Sequence, residues 1–407
     1  MIVVGGTYRE ICREPAIDCL YGSGLRAAFA ISRGCKELEF VSIVDIAEKK
    51  EVEAVARSFG FKAKLQTRIY PIQFHYEIPI GPPRIIPFNP IVMAPEKLVS
   101  SGEAMLVFGI LEAVSEIRAE KLVLDPQGLK PLAEQVVWSA DRVAIVGNKS
   151  EIQLMSTGNP DLSIEQHAAN VRKKFKAEVV VVKSGALGAV VVDSSGVTHI
   201  GVFPTPKVNP LGSGDVFSAV FAYYWAERGI PANEAARLAS KATSAWVSKE
   251  PFQVINKEGN VVSSDSSDEI YAESVSVYIA APFFTVAERW LVELCRTSLK
   301  YLGARVFSPL HDVGWGPPEF VAPADLAALK QADSVLALLD GLDSGTMYES
   351  GYAIAQGIPV VGLASDKRSI GLTMLMGNGA RIHEEPSSAV YDAIWQGIIH
   401  SHSRKVS

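Results

Sequence analysis

The sequence predicts an α/β protein of two domains, and three observations support this. Strand-like apolar runs alternate with helical periods nearly throughout, which favours layered α/β units with a mostly parallel sheet. The chain has 407 residues, which is too long for one ordinary domain. A polar stretch rich in turn formers, 256–269, separates two such series of elements. We therefore predict domains over 1–255 and 275–407, joined by a polar linker over 256–274.

The composition excludes several classes of function. Hydrophobic residues make up 48% of the chain, so each domain can bury a core of its own. A net charge of -6 gives no general attraction to nucleic acid or to an anionic membrane. The four cysteines have no metal-type spacing and are typical of reduced thiols, and no signal peptide is recognised. We expect a cytoplasmic protein whose partners are small molecules.

The first series of elements ends in two helices. Its strands are predicted over 121–125, 143–147, 178–182 and 189–193. An amphipathic helix follows Asp215 and stops at Gly229, because Pro231 lies just beyond that glycine. A second helix is predicted from about 233 to 246.

The second series predicts a small doubly wound domain, Rossmann-like or flavodoxin-like. Its strands are predicted over 275–280, 305–308, 334–339 and 358–363, and its helices over 285–302, 324–331 and 346–356. Trp290 is expected on the buried side of the first of these helices. In such sheets, ligands bind beyond the carboxyl ends of the strands.

A glycine turn before a helix marks a candidate phosphate site in the first domain. Gly212, Ser213 and Gly214 precede the helix, and such glycines let successive N–H groups point outward. The helix N-terminus adds partial positive charge. Asp215 stands at the helix start, where a carboxylate can accept a hydroxyl proton. The alternative is that Asp215 only caps the helix and the glycines only turn the chain.

This stretch resembles the G-A-G-D signature of the ribokinase-like (PfkB) carbohydrate and nucleoside kinases, with Ser213 in place of the usual alanine. The resemblance covers residues 1–255 and implies a ribokinase-like α/β sandwich that uses ATP and Mg²⁺. Asp215 would be the base, and the glycine turn would be the anion hole. Further matching positions are Gly22 and Gly24 for the sugar, Asn148 and Glu151 for Mg²⁺ and phosphate, and Lys183 and Gly185 near the nucleotide.

The first domain departs from this family at three places. Glu10 stands where the family often carries a sugar-binding aspartate. The lid region from Arg68 to Asn89 is Pro-rich and short, and the stretch after Trp246 is abbreviated. These departures leave a second interpretation open, in which the domain is a regulatory or oligomerising module that only binds nucleotide.

A carboxylate just after a strand marks a second candidate site. Glu349 lies one turn into a helix that Thr346 opens, after a loop that carries Asp340 and Asp343. Converging carboxylates serve N-glycosidic chemistry, in which one acts as nucleophile and another protonates or orients the departing base. The alternative is a solvated Glu349 with aspartates that serve only as caps, and spacing alone favours that alternative.

Residues 275–365 resemble the nucleoside 2-deoxyribosyltransferases and their nucleotide N-glycosidase relatives. The matching pieces occur in the family's order: Tyr278, Pro282-Phe283-Phe284, Ser308-Pro309, the stretch from Asp325 to Asp333, and the stretch from Asp343 to Ala353.

This second resemblance implies a role for each matching position. Glu349 would attack C1′ of the sugar, and Tyr278 would hold that carboxylate by a hydrogen bond. Asp325 and Asp343 would recognise the base and assist its protonation. The remaining substrate-binding positions would be Phe283, Phe284 and Asp340, with Trp315 as a further candidate for lining the pocket. The family commonly completes its site with a neighbouring subunit, so a homo-oligomer is expected.

The two resemblances together predict a bifunctional enzyme of nucleoside metabolism. The second domain would transfer or cleave an N-glycosidic bond with retention, and the first would phosphorylate a nucleoside or a pentose. One alternative is a nucleotide N-glycosidase with an inactive kinase-like domain. Another is a nucleotide sensor that binds in both clefts without turnover.

Overall fold

A computed structural model describes residues 1–87, 96–128, 131–156, 159, 161–248, 253–262, 268–272, 274–366, 368 and 370–406. The chain divides into two compact units. The larger comprises Met1–Ser184, Gly188–Phe203 and Pro210–Ser266, and the smaller comprises Gly185–Leu187, Pro204–Asn209 and Ser267–Ser407. Parts of the predicted linker (263–267 and 273) and of the predicted lid region (88 and 89) lie outside the described residues. The predicted domain bounds stay a prediction.

The larger unit is an α/β structure with two sheets, as predicted. Its strands are β1 (Ile2–Val4), β2 (Arg9–Cys12), β3 (Ile17–Leu20), β4 (Glu39–Asp45), β5 (Lys62–Arg68), β6 (Gln73–Tyr76), β7 (Arg84–Ile86), β8 (Glu96–Phe108), β9 (Ala113–Asp125), β10 (Val136–Asn148), β11 (Val179–Lys183), β12 (Ala189–Asp193) and β13 (Gly196–Ile200). Its helices are α1 (Gly22–Ile31), α2 (Lys49–Phe59), α3 (Leu132–Gln135), α4 (Lys149–Met155), α5 (Ile164–Phe175), α6 (Ser213–Ala222) and α7 (Ala232–Val247).

A nine-stranded sheet forms the centre of this unit, in the order β13-β12-β11-β10-β9-β8-β1-β4-β5. Neighbouring strands are parallel from β11 to β5. The pairs β11–β12 and β12–β13 are antiparallel. One apolar cluster contains the buried faces of α1, α6 and α7, and a second contains those of α4 and α5. A four-stranded sheet, β3-β2-β6-β7, carries Glu10 on β2.

Strands β8 to β10 depart from the predicted alternation of strand and helix, because among the described residues no helix separates β8 from β9 and only the four-residue α3 separates β9 from β10. β8 and β9 are parallel and 13 residues long, yet only the four residues 109–112 connect them. Straight strands of this length would span about 40 Å, which four residues cannot bridge. The strands must therefore bend, and the pairing skips Glu103, Glu120 and Asp141. Burial alternates over Ala113–Ile117, which is the period of a strand.

The smaller unit is the predicted doubly wound domain. Its strands are β14 (Ser276–Ala280), β15 (Arg305–Phe307), β16 (Ser334–Leu338), β17 (Val360–Leu363) and β18 (Arg381–His383). Its helices are α8 (Val286–Tyr301), α9 (Pro309–Asp312), α10 (Pro318–Gln331), α11 (Ser344–Ala355), α12 (Thr373–Gly377) and α13 (Pro386–Val406). All five strands are parallel in the order β15-β14-β16-β17-β18, the flavodoxin-like order, which switches direction between β14 and β16.

Helix α8 of the smaller unit buries one face. Along α8 that face carries Val292, Cys295 and Leu299, at helical spacing. Trp290 lies on the other side of α8 and is 59% exposed, so the expectation that it points inward is wrong. No helix in the described part of the chain is both long and apolar enough to cross a membrane.

Candidate active sites

The first candidate site lies where α6 begins. Gly212 has a φ of 72°, a left-handed conformation that favours glycine, and it precedes the helix. Ser213 and Gly214 form the first turn together with Asp215, which is 9% exposed. The glycine turn thus presents the start of a helix beside a buried carboxylate, an arrangement suited to an anion.

Asp215 is held by two side chains that the sequence analysis missed. Its Oδ2 accepts a hydrogen bond from Nη1 of Arg26 at 2.6 Å, and its Oδ1 accepts one from Nε2 of Gln127 at 3.3 Å. Arg26 also donates through Nη2 to Glu10, whose other oxygen accepts from the backbone N–H of Gly22 at 3.2 Å. The structure therefore brings the predicted residues Glu10, Gly22 and Asp215 together around Arg26.

Burial sets the charge of this cluster. It raises the pKa of Asp215, because a carboxylate loses solvation there. The guanidinium of Arg26 opposes that rise, whereas Asp125 and Glu10 add to it. A buried aspartate with one direct cationic partner is a suitable proton acceptor.

Gly24 has a packing role in the structure. A side chain there would meet the backbone of Gly5, since an added Cβ would lie 2.7 Å from the Gly5 Cα. Its N–H donates to the carbonyl of Gly6 at 3.2 Å. The predicted sugar contact of Gly24 stays a prediction.

Lys183 lies against the glycine turn. Its Nζ donates to Asp125 Oδ2 at 2.6 Å, to Ser218 Oγ at 3.2 Å and to the Gly214 carbonyl at 3.4 Å. Gly185 belongs to the smaller unit, where an added Cβ would lie 2.5 Å from Leu302, and its predicted place near the nucleotide stays a prediction.

Asn148 and Glu151 form a capping box at the start of α4. Glu151 Oε2 accepts from the Asn148 N–H at 2.7 Å, and Asn148 Oδ1 accepts from the Glu151 N–H at 2.9 Å. Burial, with the charge of Asp125, raises the pKa of Glu151 to about 7. In the described ranges no three His, Cys, Asp or Glu residues are grouped to hold a metal ion. One carboxylate is enough for a Mg²⁺ ion that is also bound to phosphate, so Glu151 fits that role.

The second candidate site lies at the carboxyl ends of β14 and β16, where the strand order switches. Tyr278 on β14 is fully buried and stacks on Phe307, with ring centroids 5.5 Å apart. Its hydroxyl donates to Oε1 of Glu349 at 2.6 Å, and Glu349 lies in the second turn of α11. The structure thus brings these two predicted residues into direct contact.

Glu349 shares the site with further carboxylates. Burial raises its pKa to about 7; the hydrogen bond from Tyr278 lowers it, and the charges of Asp325 and Asp343 raise it. Asp325 is 8% exposed, and its Oδ1 has no hydrogen-bond partner in the described part of the chain. Burial also raises the pKa of Asp325. The half-buried Glu349 and the buried Asp325 can divide the roles of nucleophile and acid.

Asp340 and Asp343 stabilise loops around this site. Asp343 Oδ2 accepts from the backbone N–H of Thr346 at 2.8 Å, so it caps α11. Asp340 accepts from the N–H and the hydroxyl of Ser365, both at 2.8 Å. Both aspartates have structural partners, and their predicted contacts with a substrate stay predictions.

Three aromatic side chains cluster beside the loop that follows β14. Phe283 is half-buried, Phe284 is 60% exposed and Trp315 is 70% exposed. The ring centroid of Phe283 lies 5.4 Å from that of Phe284 and 5.2 Å from that of Trp315. These rings offer an open apolar surface on which a planar base can stack.

Family comparisons match the two parts of the chain separately. Residues 110–257 match the model of the pfkB family carbohydrate kinases, and residues 277–388 match the model of nucleoside 2-deoxyribosyltransferase. The predicted pairing of these two families in one chain is confirmed. Asp215 lies in the first matched segment, whereas Tyr278 and Glu349 lie in the second.

Solved structures of ribokinase-family kinases are similar to part of the chain. A ribokinase from Thermotoga maritima is 18% identical, with a TM-score of 0.45, over 64% of this chain and 95% of that one. A ribokinase from Giardia lamblia is 16% identical, with a TM-score of 0.44, over 64% and 96%. A fructokinase from Vibrio cholerae O395 is 15% identical, with a TM-score of 0.44, over 62% and 96%. Among curated proteins, none matches the chain.

Proposed function

We propose that this chain, which matches a pfkB-type kinase family and the nucleoside 2-deoxyribosyltransferase family, is a bifunctional enzyme of nucleoside metabolism. The observation that carries the proposal is the contact between Tyr278 and Glu349 at the switch point of a flavodoxin-like sheet. A half-buried carboxylate held by a phenol, with a second carboxyl group near it, suits nucleophilic attack on a sugar.

The smaller unit forms and breaks an N-glycosidic bond in this proposal. The Glu349 carboxylate attacks C1′ while the bond from C1′ to the base nitrogen breaks. Asp325 supplies a proton to the departing base, because burial favours its protonated form. The sugar is then carried on Glu349 as an ester. Attack by a second base, or by water, releases the sugar, and two displacements at one carbon retain its configuration.

The larger unit transfers a phosphoryl group in this proposal. Asp215 accepts the proton of the acceptor hydroxyl, and the start of α6, with the backbone N–H of Gly214, faces the charge that develops on the phosphoryl oxygens. Glu151, with Asn148 beside it, would hold Mg²⁺. When bound with ATP, that ion neutralises phosphate charge. A nucleoside or a pentose is the acceptor class, and we propose a homo-oligomer.

A second candidate function keeps only the glycosidic activity. Both oxygens of Asp215 already accept hydrogen bonds, and Asp215 is 9% exposed. This arrangement supports a kinase-like unit that binds nucleotide without transferring phosphate. A nucleotide sensor without turnover in either unit is the third candidate.

One incubation separates these candidates. The protein is mixed with a deoxynucleoside and a second free base, with and without Mg-ATP, and the products are read by chromatography. Glu349→Gln should lower base exchange and hydrolysis by about 10³-fold or more while phosphorylation persists. Asp215→Asn should lower phosphorylation by about 10²–10⁴-fold while base exchange persists.

Each negative outcome points to a different candidate. Base exchange without phosphorylation in the unaltered protein would support the second candidate function. A Glu349→Gln protein that still exchanges bases at the normal rate would refute the assigned nucleophile. The absence of both reactions, with ATP still bound, would favour the sensor.

A further inference from the structure

Arg26 forms a buried bridge between two carboxylates in the larger unit. The residue is 3% exposed, and its two terminal nitrogens donate separately to Asp215 and Glu10. The Asp215 and Glu10 side chains come from α6 and β2, which are far apart in the chain. A guanidinium is a rigid planar fork, so the positions of the two carboxylates depend on each other through Arg26.

The surroundings leave Arg26 little freedom to move. An alanine Cβ at position 212 would lie 2.0 Å from the Arg26 Nε, so only glycine leaves room for the side chain there. On another side, the guanidinium carbon lies 5.1 Å from the ring centroid of Tyr21, within cation–π range. The Nε itself has no hydrogen-bond partner in the described part of the chain. The side chain is thus held between the glycine turn, an aromatic ring and two carboxylates.

We propose that Arg26 is the positioning residue of the phosphoryl-transfer site: it holds Asp215 in place by bridging it to Glu10, and its own positive charge keeps the Asp215 carboxylate ionised. This inference rests on the proposed kinase activity of the larger unit.

The charges around Asp215 explain why one residue carries this role. The ionisable side chains that face it are Arg26 from α1, Glu10 from β2, Tyr76 from β6, Asp125 from β9, Glu151 from α4 and Lys183 from β11. Asp125 and Glu10 favour the protonated form of Asp215, as burial does. Lys183 opposes them but has Asp125 as its own partner at 2.6 Å. Arg26 is the cation in direct contact with Asp215.

The proposed role follows from the chemistry of the step. The acceptor hydroxyl gives its proton to Asp215 as its oxygen bonds to the γ-phosphorus, and the bond from that phosphorus to the leaving ADP oxygen breaks. Only an ionised Asp215 can take the proton. Loss of Arg26 leaves two buried carboxylates together, so the pKa of Asp215 rises. Loss of Glu10 leaves Asp215 as the only carboxylate bound to Arg26, so the pKa of Asp215 falls.

The test uses the full chain labelled with ¹³C at the aspartate carboxyl carbons. The Asp215 resonance is assigned by its loss in Asp215→Asn, and its titration midpoint is measured by NMR. We expect a higher midpoint in Arg26→Gln, a lower one in Glu10→Gln, and a value between wild type and Arg26→Gln in Arg26→Lys. Arg142→Gln is the matched control, since Arg142 pairs with Glu178 on the surface of the same unit.

Phosphoryl transfer is measured on the same proteins across pH. If Asp215 is the base, the acid side of the rate profile shifts in the same direction as the NMR midpoint. If the midpoint of a variant is one pH unit higher than that of wild type, its rate is about tenfold lower at any pH below both midpoints. Arg26→Lys should recover part of the rate lost in Arg26→Gln, whereas a merely structural defect would leave the pH profile in place.

The outcomes separate this inference from the proposed function. A wild-type protein that transfers no phosphate would refute the kinase activity, and the NMR midpoints would still decide the role of Arg26. An unchanged midpoint in folded Arg26→Gln would overturn it. If circular dichroism shows that Arg26→Gln does not fold, Glu10→Gln decides: a midpoint that rises or stays unchanged refutes the bridge.

Discussion

At the scale of single residues, the hydroxyl of Tyr278 controls the charge of Glu349. Burial raises the pKa of the Glu349 carboxylate to about 7, and the hydrogen bond from Tyr278 keeps this pKa from rising further. Tyr278→Phe removes that bond, so the pKa of Glu349 should rise further. Glycosyl transfer needs the ionised form, so activity should fall most at pH 6 and recover towards pH 9. A pH–rate profile with a deoxynucleoside measures the shift.

Phe307→Leu is the control for this change. Phe307 stacks on the Tyr278 ring with an interplanar angle of 13°, and its replacement disturbs the packing without removing the hydroxyl. An acid limb that moves equally in both variants would mean that packing, and not the hydrogen bond, sets the pKa of Glu349.

Some residues of the two sites could be predicted from the sequence, and others could not. Tyr278 and Glu349 belong to an ordered set of motifs, and the parallel sheet brings their strand ends together. Arg26 has no motif, and it contacts Asp215 across 189 positions of the chain. A pairing over that separation exists only once α1 and α6 have packed. Gln127, in a turn after β9, was missed for the same reason.

At the scale of elements, the turn before α6 depends on Gly212. Its φ of 72° disfavours any side chain, and an added Cβ would overlap Arg26. Gly212→Ala should therefore destabilise the larger unit and lower phosphoryl transfer. Gly229→Ala is the matched control, because Gly229 has a φ of 70° with open space around it.

Denaturant unfolding of both variants separates the two causes. Gly229→Ala should show only the backbone cost, about 1–2 kcal/mol. Gly212→Ala should lose more, since Arg26 must also move. Equal losses in the two variants would mean that the overlap is relieved without cost.

The type of an element was predictable where its pattern of apolar residues ran along the whole element. The strand over 189–193 and the helix over 233–246 were predicted close to their observed bounds, whereas the helix after Asp215 ends at Ala222 and continues to Glu227 only as a π-helical segment. Of the bent strands β8 to β10, only the second halves of β9 and β10 were predicted, over 121–125 and 143–147; β8, the first halves and the bends were not. Their pairing depends on contacts between successive strands, which no local pattern contains.

At the scale of the whole molecule, the two units have separate cores. The apolar clusters of the larger unit and that of the smaller unit share no member in the described part of the chain. Leu329→Ala, at a fully buried position of α10 in the smaller unit's cluster, should cost about 2–5 kcal/mol. We expect this substitution to lower the temperature at which glycosyl transfer is lost. The temperature at which phosphoryl transfer is lost should not change.

Leu106→Ala, at a fully buried position of β8, should have the converse effect. Activity remaining after heating, measured for each reaction, tests both variants. If either substitution lowers both inactivation temperatures equally, the units unfold together and the separate cores do not act independently.

The short connection between β8 and β9 makes chain length itself a structural constraint. Every residue of β8 except Glu103 pairs with the one 17 positions later in β9, from Glu96 with Ala113 to Phe108 with Asp125. Deleting one residue from 109–112 would slide that ladder by a single step and exchange its inward and outward sides. Asp125 is the last residue of the ladder and binds Lys183, which in turn contacts Gly214. A shortened loop would therefore displace groups at the glycine turn. The number of residues in this loop is therefore fixed by the pairing of β8 with β9.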